Sequence, residues 1–223
     1  MEAALGLVAV HGVDGLTIQR LAKETGYAVG ALYRHFPGKG ALIAAMQAEV
    51  VCGVEGELAR TDAALERSRA ARSSEGTALA RVVASARVYQ ALARRRPEQF
   101  GLLTMTLGDP RELVRLEEGA AVVPALLRLF DVIVDRFTAA ATAGALEPGD
   151  ARRRSLVMWA SLHGVLQLRK LERFEVAAVA TGALVDDWVG VMLRGWGAAE
   201  EHVVEARRLA DRVTRSAFEE DAR

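Results

Sequence analysis

The stretch GALYRHFPGKGAL, Gly30 to Leu42, gathers Tyr33, Arg34, His35 and Lys39 around a glycine-lysine-glycine turn. Such a turn can hold phosphate, either that of a nucleotide or that of a nucleic-acid backbone. Spacing excludes the first. A Walker-type loop needs glycine, four residues and then Gly-Lys-Ser/Thr, so that backbone N–H groups surround the phosphates and a hydroxyl reaches magnesium. Tyr33 stands where the first glycine would be, and Gly40 follows Lys39 in place of the hydroxyl.

Other chemistries are thinner. The histidines His11, His35, His163 and His202 are widely spaced, Cys52 is the sole cysteine, and neither HExxH nor G-x-S-x-G occurs. A zinc centre or a nucleophile elbow has no ligands or scaffold in such a sequence. His202 and Glu205 share one helix face, but on a polar terminal segment. The expectation is no catalytic residue, no metal and no cofactor. Basic and acidic residues balance at 29 each, which leaves nucleic acid open as a partner because local distribution decides. The longest charge-free apolar run, Ser155 to Leu168, has 14 residues and is too short to span a bilayer. The N-terminus has an acidic rather than basic lead, unlike a signal peptide. A cytoplasmic chain with no membrane partner is expected.

The elements that must position these residues read as helices. Ala, Leu, Val, Arg and Glu dominate, the chain is 51% hydrophobic with 5 prolines, and no sustained alternation marks a strand. A first helix covers 2–11. Thr17 is placed to cap a second, in which Ile18, Leu21 and Ala22 share a face. Gly26 ends that helix with the left-handed turn glycine permits. A third runs from about Ala28 to Phe36, burying Leu32 and Phe36, until Pro37 stops it. A fourth opens at Lys39 and runs to about Arg60. The polar stretch TDAALERSRAARSSEG reads as a linker or a continuing exposed helix. Further helices are expected over 77–95, 97–107, 111–143, 150–172, 176–196 and 199–218, with Pro124 kinking or splitting the third of them.

Two short helices joined by a glycine turn form the helix-turn-helix pattern, whose second member enters the major groove. The sequence LTIQRLAKETGYAVGALYRHFPGKGALI resembles the DNA-binding head of the TetR family of bacterial repressors. The resemblance implies an all-α chain, with a three-helix head at 1–50 and a larger helical domain for ligand binding and dimerisation at 51–223. It implies double-stranded DNA as a partner, with Thr17, Tyr33, His35 and Lys39 on the phosphate backbone. Ala28, Val29, Gly30 and Ala31 then lie nearest the base edges, with Arg34 reaching a base or a phosphate. Val29 and Ala31 suit thymine methyls, but none of these small side chains can make a bidentate bond to guanine or adenine. Thr17 to Lys39 holds four basic residues against Glu24, so backbone attraction should be modest and salt-sensitive. A helical small-molecule-binding protein that kept the fold with weak or lost DNA binding is the alternative.

MWASLHGVLQL, with Trp159, His163 and Gly164, is similar to the Trp-His-Gly helix of one group of TetR-family regulatory domains. That implies a homodimer and an apolar or amphipathic small-molecule effector. Trp159 and His163 are four apart and share a helix face. Phe100, Leu103, Met105, Phe130 and Phe137 lie on candidate neighbouring helices and complete the expected lining. A histidine at such a position is more often a satisfied core residue, the competing reading of His163, and Trp188 and Trp196 read as packing or interface residues. Helices at 150–172 and 176–196 are apolar on more than one face and suit a four-helix interface between subunits. Arg152, Arg153 and Arg154 read as a solvated helix start.

Overall fold

The computed structural model describes residues 1–68, 73–108, 122–174 and 180–220. Among them are ten α-helices, one 3₁₀ segment and no strand. The helices are α1 Glu2–His11, α2 Ile18–Thr25, α3 Val29–His35, α4 Lys39–Arg67 and α5 Ser74–Arg95. They continue with α6 Pro97–Gly108, α7 Val123–Thr142, α8 Ala151–Gln167, α9 Thr181–Gly195 and α10 Glu200–Glu220, the 3₁₀ segment Leu168–Phe174 following α8.

Local chemistry sets the short N-terminal elements. Thr17 adopts extended backbone and its Oγ1 accepts from the Arg20 N–H at 3.1 Å, capping α2. Gly26 ends α2 at φ 72°, a conformation that costs other residues about 1 kcal/mol or more. Phe36 falls just past the end of α3 with extended backbone, partly buried against the head.

Two expectations change. The fourth helix passes Arg60 and runs to Arg67, because Leu58, Thr61 and Leu65 keep a buried stripe through the polar stretch. Thr61 returns its hydroxyl to the Leu58 carbonyl at 2.7 Å, so the helix costs it no unmet polar group. Pro124 is the second residue of α7, a first-turn position where no intrahelical N–H bond is lost. Of the helix expected over 111–143, residues 111–121 lie outside the described residues.

The chain divides into two compact units, Met1–Val54 with Ala91–Leu129, and Glu55–Gln90 with Phe130–Arg223. This differs from a sequence division at residue 50. The first unit adds α6 to the three-helix head. Leu102 is wholly buried in the core built by Leu7, Leu16, Leu21, Leu42, Ile43 and Met46, and α6 packs on α1. The buried Gln47 Nε2 donates to the Leu102 carbonyl at 2.7 Å.

In the second unit, α8 packs on α9 and α9 on α10 around buried Phe137, Leu162, Leu166, Val189 and Leu193. Each fully buried side chain of this size contributes about 1.5–3 kcal/mol. A polar centre supplements that core. The Arg136 guanidinium, 4% exposed, donates to the Asp62 carboxylate at 2.7 Å, to the Leu58 and Arg81 carbonyls at 3.0 and 2.7 Å, and to the Ser85 hydroxyl at 2.8 Å. One side chain of α7 thereby ties α5 to the distal half of α4. Burial draws the Arg136 pKa down, while the Asp62 charge opposes that shift.

Candidate functional site

The first unit presents α2 and α3 packed together, with Leu32 inward and the opposite face of α3 exposed. Ala28, Val29, Gly30, Tyr33, Arg34 and His35 lie on that exposed surface, and Ala31 is half-buried. Thr17 is exposed as well, although its hydroxyl is engaged in the cap.

Backbone carbonyls orient two cations of the first unit. Lys39 Nζ donates to the Asp14 carbonyl at 3.3 Å, and Arg20 Nη1 to the Gly15 carbonyl at 2.9 Å. A carbonyl fixes a cation without neutralising it, so both retain their charge for an anion. Gln19 Nε2 donates to the Tyr33 hydroxyl at 3.1 Å. That bond ties the ring of α3 to α2.

Two features in and before α3 have no explanation inside the chain. Gly30 sits in helical conformation, and a Cβ built there meets nothing within 4 Å. Glycine at a helical position costs about 0.5–1 kcal/mol relative to alanine, and no neighbour requires it. Tyr27, just before the helix, is 65% exposed.

The expected ligand-lining residues separate. Phe100, Leu103 and Met105 belong to α6 of the first unit, where Phe100 is buried and Met105 packs against the head's core. Phe130, Phe137, Trp159 and His163 belong to the second. There Phe130 lies under the Arg152 guanidinium at 5.5 Å, and Phe137 meets Trp196 edge-on at 5.3 Å. Arg152 also pairs with Asp131 at 3.4 Å and Arg154 caps the Trp196 ring at 5.7 Å. Two of the three arginines that read as solvated therefore have partners.

Trp159 and His163 do come together, with ring centroids 5.7 Å apart. Tyr89 of α5 joins them, its hydroxyl 2.9 Å from His163 Nδ1. The Gln167 amide donates to His163 Nε2 at 3.3 Å, so the imidazole proton resides on Nδ1 and is donated to the Tyr89 hydroxyl. Burial pushes the Tyr89 pKa up and the His163 pKa down, so both groups are neutral near pH 7. Trp159 itself is 40% exposed. The result is an uncharged chain of donors and acceptors beside an accessible indole.

Among the described residues no three His, Cys, Asp or Glu side chains are placed to hold a metal ion, and no helix is long and apolar enough to cross a membrane.

Known families and folds match both ends of the chain. Residues 1–46 match the family model of bacterial regulatory proteins of the tetR family, and residues 82–192 match that of the tetracyclin repressor-like C-terminal domain. A protein of unknown function from Rhodococcus sp. RHA1 is 27% identical, with a TM-score of 0.66 over 87% of this chain and 92% of that one. RolR in complex with resorcinol has the same fold at 19% identity and a TM-score of 0.62, covering 95% of this chain and 90% of its own. So does the transcriptional regulator FadR from Bacillus subtilis in complex with stearoyl-CoA, at 17% identity, a TM-score of 0.61, and 87% and 96% coverage. No curated protein matches the sequence at a significant level. With its helix-turn-helix head and its regulatory domain each matched, the chain belongs to the TetR family of bacterial regulators.

Proposed function

We propose that the protein is a cytoplasmic, ligand-responsive repressor that binds a palindromic operator as a homodimer. The observation that carries this reading is the outer face of α3, where Val29, Gly30 and Tyr33 are exposed, in a unit whose Lys39 and Arg20 are oriented by backbone carbonyls. A helix with that face enters a major groove, its small residues against base edges and its polar rim on phosphates. Tyr33, His35 and Lys39 contact the backbone, and Thr17 supports them from the start of α2. Arg34 reaches a base or a phosphate.

Dimerisation is supported by an apolar stripe on α8. Leu156, Val157, Ala160 and Gly164 are exposed along one side, with Val191 exposed on α9 at 63%. Contiguous apolar surface of this kind marks an interaction site. A two-fold dimer of such helices presents two recognition helices to half-sites about one helical turn apart or somewhat more.

The effector is small and apolar or amphipathic, and it engages Trp159 and His163. Fold neighbours in complex with resorcinol and with stearoyl-CoA support a small-molecule effector of this kind. DNase footprinting of the gene's own promoter region, with the mass of the protein measured by light scattering, tests the reading. A protected site with two-fold symmetry and a dimeric mass supports it. Protection of a single asymmetric half-site refutes the dimer, and no sequence-specific protection favours the alternative of a binding protein without DNA function.

A further inference from the structure

Gln19 and Tyr33 join the two short helices of the head at its exposed surface. Gln19 lies in the first turn of α2 and Tyr33 in the last turn of α3, and both are exposed. Gln19 Nε2 donates to the Tyr33 hydroxyl at 3.1 Å, and neither side chain has a second hydrogen-bond partner among the described residues.

The direction of this bond matters. A phenol hydroxyl has one proton and two lone pairs. The amide proton takes a lone pair, so the hydroxyl keeps its own proton and turns it away from Gln19. DNA phosphate oxygens are acceptors, and tyrosine is one of the side chains that donates to them. The bond therefore leaves Tyr33 with the polarity a phosphate contact needs. A hydrogen bond received also strengthens the one given.

Order counts as well. The Tyr33 ring is 42% exposed, and immobilising such a side chain at an interface costs affinity. A tie to α2 meets part of that cost before DNA arrives. It also holds the hydroxyl beside the first turn of α2, whose leading N–H groups lack intrahelical partners.

We infer that Gln19 is a positioning residue for DNA binding. It holds the Tyr33 phenol in one orientation and leaves the hydroxyl proton for a backbone phosphate, without touching DNA itself. The inference deepens the operator-binding reading above and rests on it. Because a phosphate contact reads no base, the pair adds affinity without sequence preference.

Two measurements test it. The chain has five glutamines and no asparagine, so a ¹⁵N-labelled sample shows few side-chain amide signals, and Gln19→Leu identifies one pair of them. Tyr33→Phe keeps the ring, removes the hydroxyl and shifts that pair in the DNA-free chain. An unmoved pair overturns the inference whatever the DNA result, because the bond is then absent in solution. In titrations of the full chain against its gene's promoter region and an unrelated duplex, Gln19→Leu weakens both by about three- to tenfold. Gln19→Glu can only accept from the phenol and brings a negative charge, so it weakens binding further. In the Tyr33→Phe background, Gln19→Leu changes affinity by less than about twofold. A loss there as large as in the wild-type chain overturns the positioning role, since Gln19 would then touch DNA directly. A wild-type chain that binds neither duplex refutes the regulator reading, and the inference falls with it. Binding without the amide response refutes the inference alone.

Discussion

Replacing Arg136 is the sharpest probe of what holds the second unit together. Its guanidinium makes four hydrogen bonds at 2.7–3.0 Å from a position 4% exposed. Bonds from a charged donor contribute about 1.5–3 kcal/mol each, and removing one partner of a buried ion pair costs about 3–5 kcal/mol. Three facts reduce the sum. The Leu58 carbonyl keeps the Thr61 hydroxyl at 2.7 Å, and the Arg81 carbonyl keeps the Ser85 hydroxyl at 3.1 Å. Asp62 is 31% exposed and retains Arg81 at 3.4 Å. What remains is the desolvation already spent on the guanidinium, recovered when it is removed.

The net expectation for Arg136→Met is a loss of about 3 kcal/mol, or roughly 6–12 °C in melting temperature for a chain of this size. Urea unfolding followed by circular dichroism measures it. Arg136→Lys keeps the charge but not the fork, and should lose about half as much. An Arg136→Met variant within about 0.5 kcal/mol of wild type would refute the argument, because the four contacts would then be geometric coincidences.

Three further outcomes follow from the same geometry. Gly30→Ala should stabilise the chain by about 0.5–1 kcal/mol while weakening operator binding in a titration; unchanged DNA affinity would mean no backbone approaches that position. Lys39→Ala should weaken binding to all sequences alike and reduce the salt slope by about one phosphate, whereas a changed sequence preference would contradict the backbone role. His163 has a lowered pKa in the folded chain because of burial, so below its usual value of about 6.5 the unfolded chain binds the extra proton and stability falls with falling pH. The melting temperature of wild type should therefore drop more between about pH 7.5 and pH 5.5 than that of His163→Gln, and parallel curves would remove His163 from the pH response.

Much of the head was legible because its signals are local. Thr17, Gly26 and Pro37 each act within four residues, through a cap, a left-handed turn and a missing N–H. The distal half of α4 was harder, since the polar composition of residues 61–67 hides a stripe that needs only Leu58, Thr61 and Leu65 to stay buried. The compact units were not legible at all. They depend on Leu102 entering the head's core and on Gln47 meeting its carbonyl, contacts made across 55 residues. The same limit applies to the Trp159–His163 face, because Tyr89 and His163 are 74 residues apart.

On the proposed reading, the head's charge economy constrains how it selects an operator. Val29, Gly30 and Ala31 carry no hydrogen-bonding side chain, so direct readout by α3 reduces to thymine methyls and whatever Arg34 reaches. Few cations flank the helix, and two of them are oriented by carbonyls before DNA arrives. A single head therefore has neither the base contacts nor the phosphate contacts for tight specific binding. Two routes make up the difference. One is the second head of a dimer, whose fixed spacing converts two weak contacts into one selective footprint. The other is close approach of the α3 backbone at Gly30, which a narrow or deformable groove permits and a stiff one resists. Operator variants altered only between the half-sites separate these routes, since only readout through DNA shape responds to bases the protein does not touch.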